Sequence, residues 1–196
     1  MPFNLKEQLV FYGAYHRDPT NVAIHMACVP ILLATGFIFG TNTPSLPLPT
    51  TRAPRLSTLL TTSHLPLNLA TLAATTYSTL YLILSPNLAG VTYAPLIMLT
   101  ASLANRLKSK YNTTKLNSVA VAVHVVSWIL QFVGHGKFEG RKPALLDNLV
   151  QALFLAPLFV WYEFLFKLGF YKKLQKEVEA GVEVEVAKLN KKKVED

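Results

Sequence analysis

Apolar residues in this chain come in five long runs, not in the alternation of strands or the one-sided stripe of a surface helix. The runs are Val22–Gly40, Leu65–Leu84, Leu88–Ala104, Leu116–Gly134 and Leu149–Phe166. A helix needs ~20 predominantly apolar residues to cross ~30 Å of hydrocarbon, and four or five of these are long enough once tilt is allowed. Inside them the only charged or imidazole side chains are His25, His124 and Glu163. The pattern predicts an all-α integral membrane bundle of four to five spans, the first run being compatible also with a re-entrant path. A compact soluble bundle of wholly buried helices is the competing reading.

What lies between the runs organises the rest. The second and third are separated by the short turn Ser85-Pro86-Asn87. Residues 41–66, between the first and second, hold five of the twelve prolines together with many threonines, a composition that reads as an irregular connector. His64 belongs to that connector and makes a poor ligand. Residues 1–170 then form one membrane-embedded domain carrying the candidate site. Residues 171–196, with seven lysines and six acids, form a charged, solvent-exposed tail, helical in part.

Charge sharpens this picture. The tail is nearly balanced, so the first 170 residues carry most of the net charge of +8. Their cations cluster at the ends of apolar runs, as membrane flanks do, and nucleic-acid binding is not expected. Arg106, Lys108, Lys110 and Lys115 occupy one short loop without an acid, which places that loop in the cytosol by the positive-inside rule. In either orientation, the segment before Val22 and the segment after Gly134 face the same side. The single cysteine, Cys28, excludes an internal disulfide and reads as a small buried hydrophobe.

Chemistry rests with the histidines, because ionisable groups at membrane depth are expensive and mark function by default. Pro19 suits a first helical turn and Asp18 a cap, so a helix starting near residues 18–21 places Asn21 and His25 on one face. His16 precedes it and can fold back. Taken alone, this segment fits a surface His16 and a core His25 equally well. In HVVSWILQFVGHGKFEG, His124 and His135 share a helical stripe, yet they lie ~16 Å apart along the axis. With metal–nitrogen bonds of ~2 Å, they cannot share one ion.

His135, at the helix end between two glycines, has the freedom a ligand needs, and His124 reads as a satisfied core residue. The selection is therefore His16, His25 and His135, three neutral imidazoles that leave open positions on a metal. Asn21 and Gln131 suit partners of ring N–H groups. Glu139 reads as a further ligand, an orienting group or a catalytic base. Arg17, Lys137, Arg141 and Lys142 surround the site with positive charge suited to a substrate carboxylate, or simply flank a membrane.

Two blocks carry a resemblance. FYGAYHRDPTNVAIHMACVP contains H-x4-N-x3-H, and WILQFVGHGKFEGRKPALLDNLVQALFLAPLFVWYEFLFKLGF opens with W-x2-Q-F-x-G-H-x3-E-x3-P-A-L. Their content and order are similar to a family of small membrane proteins that includes a fungal Fe(II)-dependent 2-hydroxy fatty acid dioxygenase of the endoplasmic reticulum. The resemblance implies that His16, His25 and His135 hold Fe(2+), with Asn21, Gln131, Glu139, Pro143 and Asp147 in motif positions. It also implies a long-chain 2-hydroxy fatty acid and O2 as substrates and cleavage between C1 and C2. The product is a fatty acid one carbon shorter, in the α-oxidation branch of phytosphingosine breakdown. The proline-rich connector is not part of the family's pattern.

Two other classes stay open on the residues alone. One is a non-enzymatic membrane scaffold or assembly protein with structural histidines. The other is a bis-histidine haem protein that uses His124 and His135. A di-iron lipid hydroxylase is disfavoured, because five histidines without HxxxH and HxxHH clusters are too few.

Overall fold

The computed structural model describes residues 4–47, 53–140, 143 and 149–195. Among them are eight α-helices and no strand: α1 Leu5–Ala14, α2 Pro19–Gly40, α3 Pro54–Thr62, α4 Leu69–Leu84, α5 Leu88–Lys110, α6 Thr113–Val133, α7 Leu149–Lys167 and α8 Lys172–Glu195. A π-helical turn, Gly134–Glu139, continues α6. The all-helical membrane reading holds. Among the described residues, three segments are long and apolar enough to span: α2, α5 and α6 with its π turn. The α7–α8 pair, bent by 118°, makes a fourth if counted as one. α4 has 16 residues, about 24 Å of helix, and falls short of the ~30 Å hydrocarbon core. α6 exposes Val125, Val126, Ile129, Leu130, Phe132 and Val133, a surface suited to acyl chains and not to water.

The chain divides into two compact units, residues 1–29 with 129–196, and residues 30–128. The second is built on the α4–α5 hairpin, where Ala70, Ala74, Ala89, Ala94 and Ala101 are buried and let the helices approach closely. Asn68 and Asn87 cap the two helices through their side-chain oxygens. The connector, expected to be irregular, contains α3. Pro54 sits in its first turn, where a missing N–H costs nothing, and the hydroxyls of Thr58, Thr61 and Thr62 bond back to carbonyls four residues earlier. No α3 side chain is buried.

In the first unit, Asn4 caps α1 by accepting from the Lys6 and Glu7 amides, and its own amide donates to Glu7. Asp18 caps α2 as expected, accepting from Thr20 N at 2.8 Å and Asn21 N at 3.1 Å. α7 ends in a left-handed Gly169, φ 84°. The Phe170 and Gly169 amides close back on Leu165 and Phe166, which terminates the helix and turns the chain into α8.

The tail is not solvated all round. α8 lies along α1, burying Val178 and Val182. Gly13 faces Val182 and Gly181 faces Val10 with no room for a larger side chain. Lys6 pairs with Glu177 at 2.9 Å on the exposed rim. The VEVEV alternation hid this, because only the valines four apart along a helix share a face.

Candidate metal centre

His16, His25 and His135 come together. Their donor atoms all lie within 4.8 Å of one another, and all three residues are buried. Ring centroids stand 4.3, 4.8 and 4.9 Å apart, with the planes tilted by 69–78°, so the imidazoles meet edge to face. The N-terminal end of α2 and the C-terminal end of α6 therefore meet in one unit. The expectation that they share a side counted four crossings between them, whereas among the described residues three helices there, α2, α5 and α6, are long enough to span and α4 is short.

Two of the rings are oriented by a main-chain carbonyl four residues earlier. His16 Nδ1 is 2.8 Å from the carbonyl of Tyr12, and His25 Nδ1 is 2.9 Å from the carbonyl of Asn21. A carbonyl can only accept, so both Nδ1 atoms carry the proton and both Nε2 atoms keep a lone pair. His16 Nε2 is buried without a partner, and so is His135 Nδ1. Buried unsatisfied polar atoms are rare and each costs about 1–3 kcal/mol. Two of them in one cluster of three neutral rings fit a cation held between lone pairs. Burial, reinforced by the neighbouring His25 imidazole, holds the His16 proton affinity well below the ordinary histidine value. The ring is thus neutral and ready to donate a lone pair.

The π turn presents His135. Its wide loop closes through the Gly140 amide, which donates to the His135 carbonyl while Gly140 adopts φ 65°. Such turns inside α-helices recur at functional sites. Gly134, one residue before, is required by packing: a Cβ there would overlap Asn21 Oδ1.

Glu139 faces the backbone that carries His16. Its carboxylate accepts from Arg17 N at 3.0 and 3.1 Å, Asp18 N at 3.0 Å and the Asn21 side-chain amide at 3.1 Å. Of the three roles considered for it, these are the contacts of an orienting group. Asn21 does not serve His25 through its side chain as expected; its main-chain carbonyl does. The Asn21 amide nitrogen goes to Glu139 and, at 3.4 Å, to the carbonyl of Tyr15. Gln131 is buried with its amide nitrogen unpartnered. Arg17 and Lys137 are exposed, with the Lys137 ammonium 5.5 Å from the Phe138 ring centroid. Arg141 and Asp147 lie outside the described residues.

Tyr12 escaped the sequence reading. Its ring stacks on His16 at 3.9 Å and 15°, and its hydroxyl is buried without a partner. The signal was present: Tyr12 is four residues before His16, on the last turn of a helix that the Asn4–Glu7 box opens.

His124 belongs to the other unit and is satisfied there. The Trp128 indole N–H donates to its Nε2 at 3.1 Å, and its Nδ1 meets the Thr35 hydroxyl at 2.7 Å. With both nitrogens engaged, it has no lone pair for haem or metal; it is satisfied as expected, but half-buried and not part of the core.

The fold and site define a multi-helix membrane protein with a buried three-imidazole centre. Residues 3–168 match the family described as 2-hydroxy-palmitic acid dioxygenase Mpo1-like. The chain is also 36% identical to the 2-hydroxy-palmitic acid dioxygenase MPO1 of Saccharomyces cerevisiae over 188 residues, covering 95% of this chain and 94% of the relative. The chain belongs to the Mpo1-like family, a family of dioxygenases. No solved structure matches it.

Proposed function

We propose that the protein is an Fe(II)-dependent dioxygenase that cleaves C1–C2 of long-chain 2-hydroxy fatty acids with O2 as oxidant, giving a fatty acid one carbon shorter with C1 leaving as CO2 and the remaining atoms as water. The observation that carries this reading is the buried convergence of His16, His25 and His135, two of them with main-chain-fixed tautomers, in a chain aligned nearly end to end with a 2-hydroxy-palmitic acid dioxygenase. The endoplasmic reticulum membrane is the location that accompanies it.

His16 and His25 would hold ferrous iron through Nε2, and His135 through its unpartnered Nδ1. The chemistry iron supplies on three neutral imidazoles is O2 activation beside a substrate bound through its carboxylate and 2-hydroxyl. The protein's own groups do the rest. Burial keeps His16 unprotonated near neutral pH, so the ligand set is neutral and tolerates an anionic headgroup. Tyr12 is held protonated by burial, its phenol pushed well above its ordinary value, and supplies a neutral hydroxyl beside His16. Gln131 contributes an unpartnered amide donor. Arg17 and Lys137, both exposed, provide positive potential that draws a carboxylate from the interface. The acyl chain can stay among lipid against the apolar face of α6.

The test is anaerobic loading of purified protein with Fe(II), then addition of 2-hydroxypalmitate and air. A C15 acid is the expected product. Its absence from iron-loaded protein refutes the activity.

A further inference from the structure

The three ligands arrive on separate stretches of chain, and a single side chain ties those stretches together. Glu139 lies four residues after His135 on the same π turn. Its carboxylate takes the amides of Arg17 and Asp18, the residues immediately after His16, at 3.0–3.1 Å. It also takes the Asn21 side-chain amide at 3.1 Å, while the main-chain carbonyl of Asn21 receives the Nδ1 proton of His25 at 2.9 Å. Asn21 Oδ1 in turn fills the space beside Gly134, the residue before His135. One carboxylate thus reaches the backbone of His16, the partner of His25 and the turn of His135. It sits at the N-terminus of α2, where unsatisfied amides and the helix dipole favour a negative charge.

We infer that Glu139 is the positioning residue of the metal centre, neither a ligand nor the catalytic base: it latches the His135 turn to the His16–Asn21 segment and so sets the spacing of the three imidazoles. This rests on the reading of those imidazoles as a metal site. Its chemistry suits the task. A carboxylate accepts several N–H bonds at once and charge strengthens each. A glutamine at this position offers one oxygen and one NH2 group, and in either orientation the NH2 would face the Arg17 amide, which can only donate.

The test is cobalt(II) titration of the detergent-solubilised full chain, following both affinity and the visible ligand-field spectrum. The proteins compared are wild type, Glu139→Gln, Asn21→Ala and the double variant. Replacing groups that orient metal ligands costs about 10–100-fold in affinity, and that loss, with an altered spectrum, is expected for each single variant. Because the two residues act through one contact, the double variant should lose less than the product of the single losses.

The residual iron-loaded turnover of Glu139→Gln should keep the wild-type pH profile. Wild-type cobalt affinity and spectrum in Glu139→Gln would overturn the inference, as would full metal occupancy with one limb of the pH profile missing, which marks a base. Should Glu139→Gln lose its helical circular dichroism, Asn21→Ala carries the same comparison. A wild-type protein that binds no cobalt and no iron overturns the metal reading itself, a result distinct from equal binding by wild type and variant.

Discussion

Gly134 and Asn21 are in direct contact: Asn21 Oδ1 occupies the volume that a Cβ on residue 134 would need. Gly136, two residues on, has open space at the same position. The two glycines therefore separate packing from flexibility. Gly134→Ala should displace Asn21, weaken metal binding by about tenfold or more and lower the melting temperature. Gly136→Ala should leave both nearly unchanged. Metal titration and thermal melts of the pair decide it, and equal effects would show that backbone freedom, not the Asn21 contact, is what the turn needs.

The histidines should divide sharply. His16→Ala, His25→Ala and His135→Ala each remove a donor from the cluster and should abolish tight binding of one equivalent of iron, together with turnover. His124→Ala should retain iron but lose about 1–3 kcal/mol of stability, because the Trp128 indole loses its acceptor. Metal analysis and melting of the four variants check this. Wild-type function in all three cluster variants would favour the scaffold reading, and a Soret band in purified protein would favour haem.

Acidification should destabilise the metal-free protein. Burial depresses His16 in the folded state, whereas an unfolded chain presents a histidine near 6.5. Between those two values the unfolded chain binds more protons, so stability is full above about pH 6.5 and declines as pH falls below it, by at most ~1.4 kcal/mol per pH unit for this one group. Melting of apo protein from pH 8 to 5 should show that decline, and His16→Gln should make it shallower.

α8 should prove necessary to the site although it carries none of the clustered histidines. Val182 is buried against Gly13 of α1, and α1 ends in the turn that supplies both the stacking ring and the carbonyl for His16. Val182→Asp places an unpaired carboxylate in that contact and should cost several kcal/mol together with iron affinity. Val184→Asp, at an exposed position, should cost neither.

The histidine cluster was legible because its signals are local. Apolar runs fixed the helices, Pro19 and Asp18 fixed where α2 starts, and helical rise alone separated His124 from His135. The roles of Glu139 and Asn21 were not, because their contact joins residues more than a hundred positions apart and no periodicity encodes a pairing across that distance. The same holds for α8. Its valines looked like part of a solvated charged tail until α1 supplied a partner. Tyr12 was missed for a smaller reason: its four-residue spacing to His16 becomes a signal only once α1 is seen to run up to that ring.

The division of the first unit between the two ends of the chain has a consequence for how the protein is made. A ribosome that has synthesised α1 and α2 has released two of the three imidazoles, and about a hundred further residues must emerge before the π turn brings the third. Throughout that interval the nascent chain carries two of the clustered histidines without the third. The three-imidazole cluster can therefore close only after the intervening helices have been synthesised.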